Sequence, residues 1–187
     1  MTTETITPAL TDISGDYTID TSHSRLGFVA RHAMVTKVRG SFANWQGTAH
    51  IDTANPAASW VKLTVDAASV STGVADRDGH LKSGDFFDVE NHPEWTFSST
   101  AVNRDGDEWA ITGDLTIKGV THAVTIEFEE GGSAKDPFGN FRVGFEGDTT
   151  VNRKDWGLSW NAALETGGIL VSEKIKLEFD ISAIRNA

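Results

Sequence analysis

The amino-acid sequence predicts an all-β protein of eight antiparallel strands with short helical excursions. Segments in which apolar and polar side chains alternate recur along most of the chain, and this is the period of a strand with one buried face. Adjacent segments are joined by turns too short for the crossovers that parallel strands need. The 187 residues include 18 Gly and 6 Trp. That mixture of turn formers and large aromatics suits antiparallel sheets better than helical bundles.

The predicted strands follow one another between residues 24 and 182, each with its own set of apolar side chains. In order, these are Leu26, Phe28, Ala30 and His32 in 24–32; Phe42, Trp45 and Ile51 in 38–52; Val61, Leu63 and Val65 in 60–66; Trp95 and Phe97 in 94–102; Trp109, Ile111, Leu115 and Ile117 in 108–118; Val124, Ile126 and Phe128 in 122–130; Val143, Phe145 and Val151 in 141–151; and Ile175, Leu177, Phe179 and Ile181 in 173–182. Residues 103–107 form a turn-rich connection typical of a hairpin.

Two stretches break this pattern. Residues 73–90 read as a helical or irregular excursion, and residues 152–172 as a long connection that carries two tryptophans. Long connections in compact domains are often functional. Residues 1–14 are Thr-rich and polar, which predicts an N-terminal tail followed by one domain over 15–187.

Composition excludes several classes of function. The chain has 16 Lys and Arg against 27 Asp and Glu, a formal net charge of −11, which argues against a nucleic-acid partner and against binding to anionic lipid surfaces. Cysteine is absent, which excludes disulfides and thiol chemistry. No window approaches the roughly 18 apolar residues of a membrane span, and the first 20 residues lack the pattern of a secretory signal. We therefore expect a cytoplasmic protein without stable membrane insertion.

Eight amphipathic strands must hide one apolar face, either between two packed sheets or inside a closed barrel. The apolar face is rich in aromatic side chains. These either fill the core completely or line a slot for a long apolar molecule, and periodicity does not separate the two alternatives.

Two polar motifs allow a structural and a functional interpretation. Arg77, Asp78 and His80 lie within four residues of each other on a predicted helical turn, and Arg153 lies on the long connection. They either tie these segments to the strands or contact a polar head group, because a guanidinium grips phosphate well. His32 follows Phe28 in phase, so it is expected to point inward. The sequence contains no metal-ligand motif and no nucleophile motif.

Short motifs follow a fixed order from about residue 15 to residue 184. They are Tyr17-Thr-Ile-Asp20-Thr-Ser-His23-Ser24 with Phe28 and His32; Val38-Arg39-Gly40-Ser-Phe42; Ser69 with Thr72-Gly73; Arg77-Asp78-Gly79-His80-Leu81; Asp85-Phe86-Phe87-Asp88; Pro93 with Phe97; Gly113-Asp-Leu115-Thr116-Ile117-Lys-Gly119-Val120-Thr121; Gly144-Phe145; and Asn152-Arg153-Lys-Asp155-Trp156-Gly157. In order and spacing they resemble the YceI-like domain family, which usually has Phe where Trp156 stands.

The resemblance implies a lipocalin-like eight-stranded antiparallel barrel that binds a polyisoprenoid or similar amphipathic lipid, as a carrier or storage protein and not as an enzyme. It implies no cofactor beyond a bound isoprenoid or quinone, and the partner is a small apolar lipid, with a homodimer left open. Two alternatives stay open: a small hydrolase or isomerase acting on a bound lipid through His32, His80 or Asp78, and a ligand-free stress-related structural protein. The predicted binding residues are Phe28, His32, Phe42, Trp95, Phe97, Trp109, Ile111, Phe128, Phe145, Trp156, Phe179, Arg77, His80 and Arg153.

Overall fold

Eleven strand segments form one antiparallel sheet that closes on itself in the computed structural model, which describes residues 12–165 and 170–187. The segments are β1 (Gly15–Ile19), β2 (Arg25–His32), β3 (Thr36–Phe42), β4 (Trp45–Ile51), β5 (Trp60–Asp66), β6 (Val70–Ser71), β7 (Glu94–Asp105), β8 (Glu108–Ile117), β9 (Val120–Lys135), β10 (Phe141–Asn152) and β11 (Lys174–Arg185). Neighbours follow the order β1-β4-β5-β7-β8-β9-β10-β11, and β1 pairs with β11 to close the ring.

The eleven segments amount to eight strands, because three strands are interrupted. β1 and β2 lie end to end along β11, β3 and β4 lie end to end along β2 and β1, and β5 and β6 continue alongside β4 and β3. The predicted eight-stranded antiparallel barrel is therefore confirmed.

The first interruption explains why the sequence prediction misses β1. The Asp20 side chain accepts a hydrogen bond from Ser22 N and so caps a short 3-10 helix, Thr21–His23, between β1 and β2. This local turn hides the continuity of the strand. Most of the predicted tail, residues 1–11, lies outside the described residues. Ile13 is buried under the barrel, where its carbonyl accepts a hydrogen bond from the Tyr17 hydroxyl at 2.6 Å.

The two irregular stretches both lie at one end of the barrel. The first contains α1 (Ala75–Lys82), and the second begins with a 3-10 helix at Arg153–Trp156. The helical character predicted for 73–90 is confirmed. Residues 166–169, within the predicted connection, lie outside the described residues. We call the end of the barrel that carries these two stretches the upper end; β7 begins there. The lower end is where β7 ends, at Asp105.

Alternation decides which side chains fill the barrel. Large apolar residues two positions apart on each strand point inward because successive side chains leave opposite faces of a sheet. They form a main cluster that includes Phe42, Trp95 and Phe97, and a lower cluster that includes Trp109 and Val143. The predicted inward position of His32 is wrong: this residue ends β2 beyond the upper rim and is exposed to solvent.

Candidate functional site

The lower half of the barrel contains an apolar cavity of about 80 Å³. Aromatic side chains from several strands form much of its wall: Phe97, Trp109, Phe128, Phe145 and Phe179. By the same measure of volume a single water needs roughly 10–15 Å³, so the space exceeds an ordinary packing defect. Without polar partners a buried water is unfavourable, and such a cavity suits an apolar group.

A second apolar cavity of about 60 Å³ lies above the first. Its wall includes Phe42 and Trp95, which contact each other edge to face with ring centroids 4.8 Å apart. Four side chains line both cavities: Leu63, Phe97, Ile126 and Phe179. They form a shared wall between the two cavities, which are stacked along the barrel.

Interior glycines let aromatic rings lie against the barrel wall. A Cβ at Gly113 would lie 2.5 Å from Cζ of Phe97, and a Cβ at Gly147 would lie 2.7 Å from Cδ1 of Phe128. Because glycine lacks that atom, each ring occupies the space above its neighbour strand and leaves the centre of the barrel less crowded.

An ion pair packs against an indole at the lower end of the barrel. The Glu130 carboxylate accepts hydrogen bonds from Nη2 of Arg104 at 3.1 Å and from Nε1 of Trp109 at 3.0 Å. The Arg104 guanidinium also lies 4.9 Å from the centroid of the Trp109 ring. The charges of Glu130 and Arg104 thereby compensate each other, and Glu130 is also the hydrogen-bond acceptor of the Trp109 indole nitrogen.

Arg153 holds the upper connection together. The side chain is 4 % exposed and donates to three backbone carbonyls, those of Ser172, Leu158 and Val171. Burial lowers the pKa of this guanidinium, while the nearby Glu173 carboxylate raises it. These contacts match the structural interpretation of Arg153, because its donors point to the protein's own backbone.

Arg77 and Asp78 both grip Thr72 at the start of the helical excursion. Arg77 Nε donates to Thr72 Oγ1 at 2.7 Å, and Asp78 Oδ1 accepts from Thr72 N at 2.8 Å. The Arg77 side chain and His32 both border a groove on the outside of the barrel. Arg77 lines neither cavity. The pair therefore anchors α1 to Thr72, which directly follows β6.

His80 belongs to an aromatic cluster above the barrel. Its ring contacts Trp160 and Phe86 edge to face, with centroids 4.6 Å and 5.0 Å away, and its Nε2 lies 2.9 Å from Asp85 Oδ2. Trp156 is also buried at this end and donates from Nε1 to the Leu115 carbonyl at 2.9 Å. The two residues cover the upper end without lining either cavity.

The structure thus divides the predicted binding residues into two groups. Eight line a cavity: Phe42, Trp95, Phe97, Trp109, Ile111, Phe128, Phe145 and Phe179. Six line neither cavity: Phe28, His32, Trp156, Arg77, His80 and Arg153. The prediction omits Leu63 and Ile126, although both lie in phase with inward residues of their strands, because it favours aromatic side chains.

A larger concave surface lies on the outside of the barrel. This groove of about 710 Å³ runs across the outer face of several strands. Carboxylates border it, among them Glu127, Glu129, Glu146 and Asp148, together with Arg25, Arg104 and edges of Trp109, Phe128 and Phe179. The carboxylates along this groove are hydrated and make it unfavourable for an apolar ligand, so the internal cavities remain the candidate site. Within the described ranges, no three His, Asp or Glu side chains are grouped so as to hold a metal ion.

A closed eight-stranded antiparallel barrel with an apolar interior defines a lipocalin-like protein. More specifically, the chain belongs to the YceI-like domain family, whose model matches residues 17–183. The predicted family is therefore confirmed.

A relative of similar sequence agrees with this assignment, and solved structures share the fold. Protein YceI of Escherichia coli O157:H7 is 41 % identical over 148 residues, which cover 78 % of each chain. The crystal structure of Burkholderia cenocepacia BcnA superposes with a TM-score of 0.77 at 23 % identity, over 88 % of this chain and 98 % of that one. A polyisoprenoid binding domain from Saccharophagus degradans, implicated in plant cell wall breakdown, has a TM-score of 0.66 at 18 % identity, over 91 % of this chain and 98 % of that one.

Among the helices in the described part of the chain, none has the length and apolar character needed to cross a membrane.

Proposed function

We propose that this protein binds a long-chain isoprenoid or a similar amphipathic lipid inside the barrel, as a carrier or storage protein. The observation that carries the proposal is the pair of stacked apolar cavities, which share the wall formed by Leu63, Phe97, Ile126 and Phe179. The polyisoprenoid-binding domain of Saccharophagus degradans, which has the same fold, supports the choice of ligand class.

Burial of hydrocarbon supplies the driving force. Each methylene removed from water contributes roughly 0.8 kcal/mol, so a chain of several isoprene units overcomes the cost of ordering both ligand and protein. Such a ligand needs no charged partner along its length, which agrees with the apolar lining of both cavities.

The volumes imply that the barrel widens when a long ligand enters. Cavities of about 80 and 60 Å³ are well below the roughly 300–1,000 Å³ of typical ligand pockets. Phe97 and Phe179 are the natural side chains to move, because each already borders empty space on both the upper and the lower side. A rotation of these two rings would join the cavities into one channel.

A binding role accounts for the residues better than the catalytic alternative. The acid–base candidates His32, Asp78 and His80 all lie at or above the upper rim, outside the lumen where a bound lipid would lie. The observation that favours the ligand-free alternative is the small size of the cavities, and binding experiments distinguish it from the carrier.

The decisive experiment compares two tryptophan substitutions at neighbouring positions. Ile126→Trp adds bulk to the shared wall, whereas Glu127→Trp adds the same side chain to the outer face of the same strand. We expect Ile126→Trp to weaken binding of a prenylated benzoquinone at least tenfold and Glu127→Trp to leave it unchanged. Overpacking of a core costs about 1–3 kcal/mol of folding free energy. Circular dichroism and unfolding curves therefore serve to check that both variants fold.

Lipid extraction and mass spectrometry of protein purified from its native host complete this test. We expect a prenyl or fatty lipid in near-stoichiometric amount. Absence of any co-purifying lipid, together with no binding of added quinone to the delipidated protein, would contradict the proposal and leave the ligand-free barrel.

A further inference from the structure

The upper cavity contains one polar group without a partner. Among the described residues, Trp95 Nε1 is the buried side-chain nitrogen or oxygen atom for which the protein provides no hydrogen-bond partner. Trp95 is 8 % exposed, points inward from β7 and lines the upper cavity. A buried donor without an acceptor is costly, so such an atom calls for an explanation.

Two other buried indoles, those of Trp109 and Trp156, have acceptors within the protein. Trp109 Nε1 donates to Glu130 at 3.0 Å, and Trp156 Nε1 donates to the Leu115 carbonyl at 2.9 Å. Trp95 contacts instead the aromatic rings of Phe42 and Phe87, each with its centroid 4.8 Å away. The Trp95 N–H is therefore a buried donor that has no acceptor among the described residues, in a side chain that borders the upper cavity.

The surroundings restrict the chemistry of that molecule. Apart from Trp95 itself, the side chains that line the upper cavity are apolar, save for Thr96, and none carries a charge. A phosphate or carboxylate there would be buried without a counter-charge, at large cost. At the upper end, Arg77 is bonded to Thr72 and Arg153 to backbone carbonyls. The group that meets Trp95 is thus a neutral hydrogen-bond acceptor.

Resting on the proposed lipid-binding function, we propose that Trp95 Nε1–H selects lipids that carry a neutral acceptor oxygen, such as a quinone, ester or amide carbonyl. The oxygen accepts the Trp95 hydrogen bond in the upper cavity, and the hydrocarbon extends past the shared wall into the lower cavity. β7 covers about 23 Å from Trp95 to Val102, which lines the lower cavity, at about 3.3 Å per residue. An extended chain of several isoprene units spans this length.

The test uses two probes that differ in the acceptor: a benzoquinone with a long prenyl chain, and squalene, a hydrocarbon of the same isoprene chemistry. In the ¹⁵N-labelled, delipidated protein the six Trp residues give indole N–H signals, and Trp95→Phe identifies the signal of Trp95. We expect the quinone to move the Trp95 indole proton downfield and squalene not to do so.

Affinities of variants supply the second readout. Trp95→Phe should weaken quinone binding about tenfold and squalene binding less than threefold, since the lost interaction is a hydrogen bond to oxygen. Replacement of the Trp95 indole by benzothiophene keeps the shape of the side chain and should reproduce the same difference. The matched control is Trp156→Phe, which removes an N–H that is already bonded within the protein and should leave the ratio of the two affinities unchanged.

The outcomes separate this inference from the proposed function. Equal losses for quinone and squalene in the Trp95 variants, or an indole proton that the quinone does not move, would overturn the role of Trp95 while lipid binding stands. Failure of the wild-type protein to bind either probe would overturn both.

Discussion

Phe97 and Phe28 form a matched pair that tests whether the barrel contains usable space. The two rings are 6 % and 9 % exposed, and each lies against a glycine of a neighbouring strand, Gly113 and Gly40 respectively. They differ in one respect: Phe97 lines both cavities, whereas Phe28 lines neither and packs against Phe42 with ring centroids 6.0 Å apart.

The expected costs of truncation follow from this difference. In a close-packed core, Phe→Ala loses about 3–5 kcal/mol, because the transfer free energy of the ring and the cavity left behind both count. We expect about 4 kcal/mol for Phe28→Ala. Phe97 already borders voids of about 80 and 60 Å³, so it makes fewer dispersion contacts to lose. We expect about 2.5 kcal/mol for Phe97→Ala, close to the transfer free energy alone.

The assay is urea unfolding of the delipidated variants, followed by circular dichroism and tryptophan fluorescence, with coincident transitions as the check on two-state behaviour. Phe97→Ala also joins the two cavities, so its affinity for squalene should equal or exceed that of the wild type. A free-energy loss for Phe97→Ala as large as that for Phe28→Ala, with squalene affinity reduced, would refute the reasoning and indicate a solid core.

Two further predictions concern polar groups outside the cavities. Arg142 donates to Asp136 at 2.7 Å and lowers the pKa of that carboxyl to about 2 from an ordinary value of 3.8, so the stabilisation is present above about pH 4 and is lost as the pH falls towards 2. Unfolding at pH 4, 3 and 2 should show a smaller acid loss in Arg142→Gln than in the wild type, and parallel profiles would contradict the assignment. Arg153→Met should cost about 3 kcal/mol in denaturant unfolding, because three backbone carbonyls lose their donor, whereas the more exposed Arg77→Met should cost about 1 kcal/mol or less. Equal losses for these two variants would contradict the role given to Arg153.

Much of the fold follows from local pattern. Inward faces such as that of β11, with Leu177 and Phe179, are readable from the sequence because side-chain direction in a strand depends only on the parity of position. The same rule fails for His32, since the strand runs past the rim of the barrel and parity no longer decides burial there. Alternation also does not reveal β1, because the continuity of β1 with β2 depends on the pairing of both segments with the distant β11.

The candidate site is only partly readable in this way. The aromatic composition of the interior is local information, and eight of the predicted binding residues do line a cavity. Local sequence does not tell that Phe97 lines a cavity and Phe28 does not, because both are inward phenylalanines in amphipathic strands. Which of them borders empty space depends on the side chains that other strands bring opposite.

The sequence by itself therefore determined most of the strands and their buried faces, the net acidic charge and the family. Only the tertiary structure decided that the sheet closes through β1 and β11, that Arg153 donates to backbone carbonyls of the upper connection, and that Trp95 Nε1 has no acceptor in the described part of the chain. The physical reason is range: the alternation of a strand is set by adjacent residues, whereas a cavity, a buried hydrogen bond or an unpaired donor depends on groups brought together from distant parts of the chain.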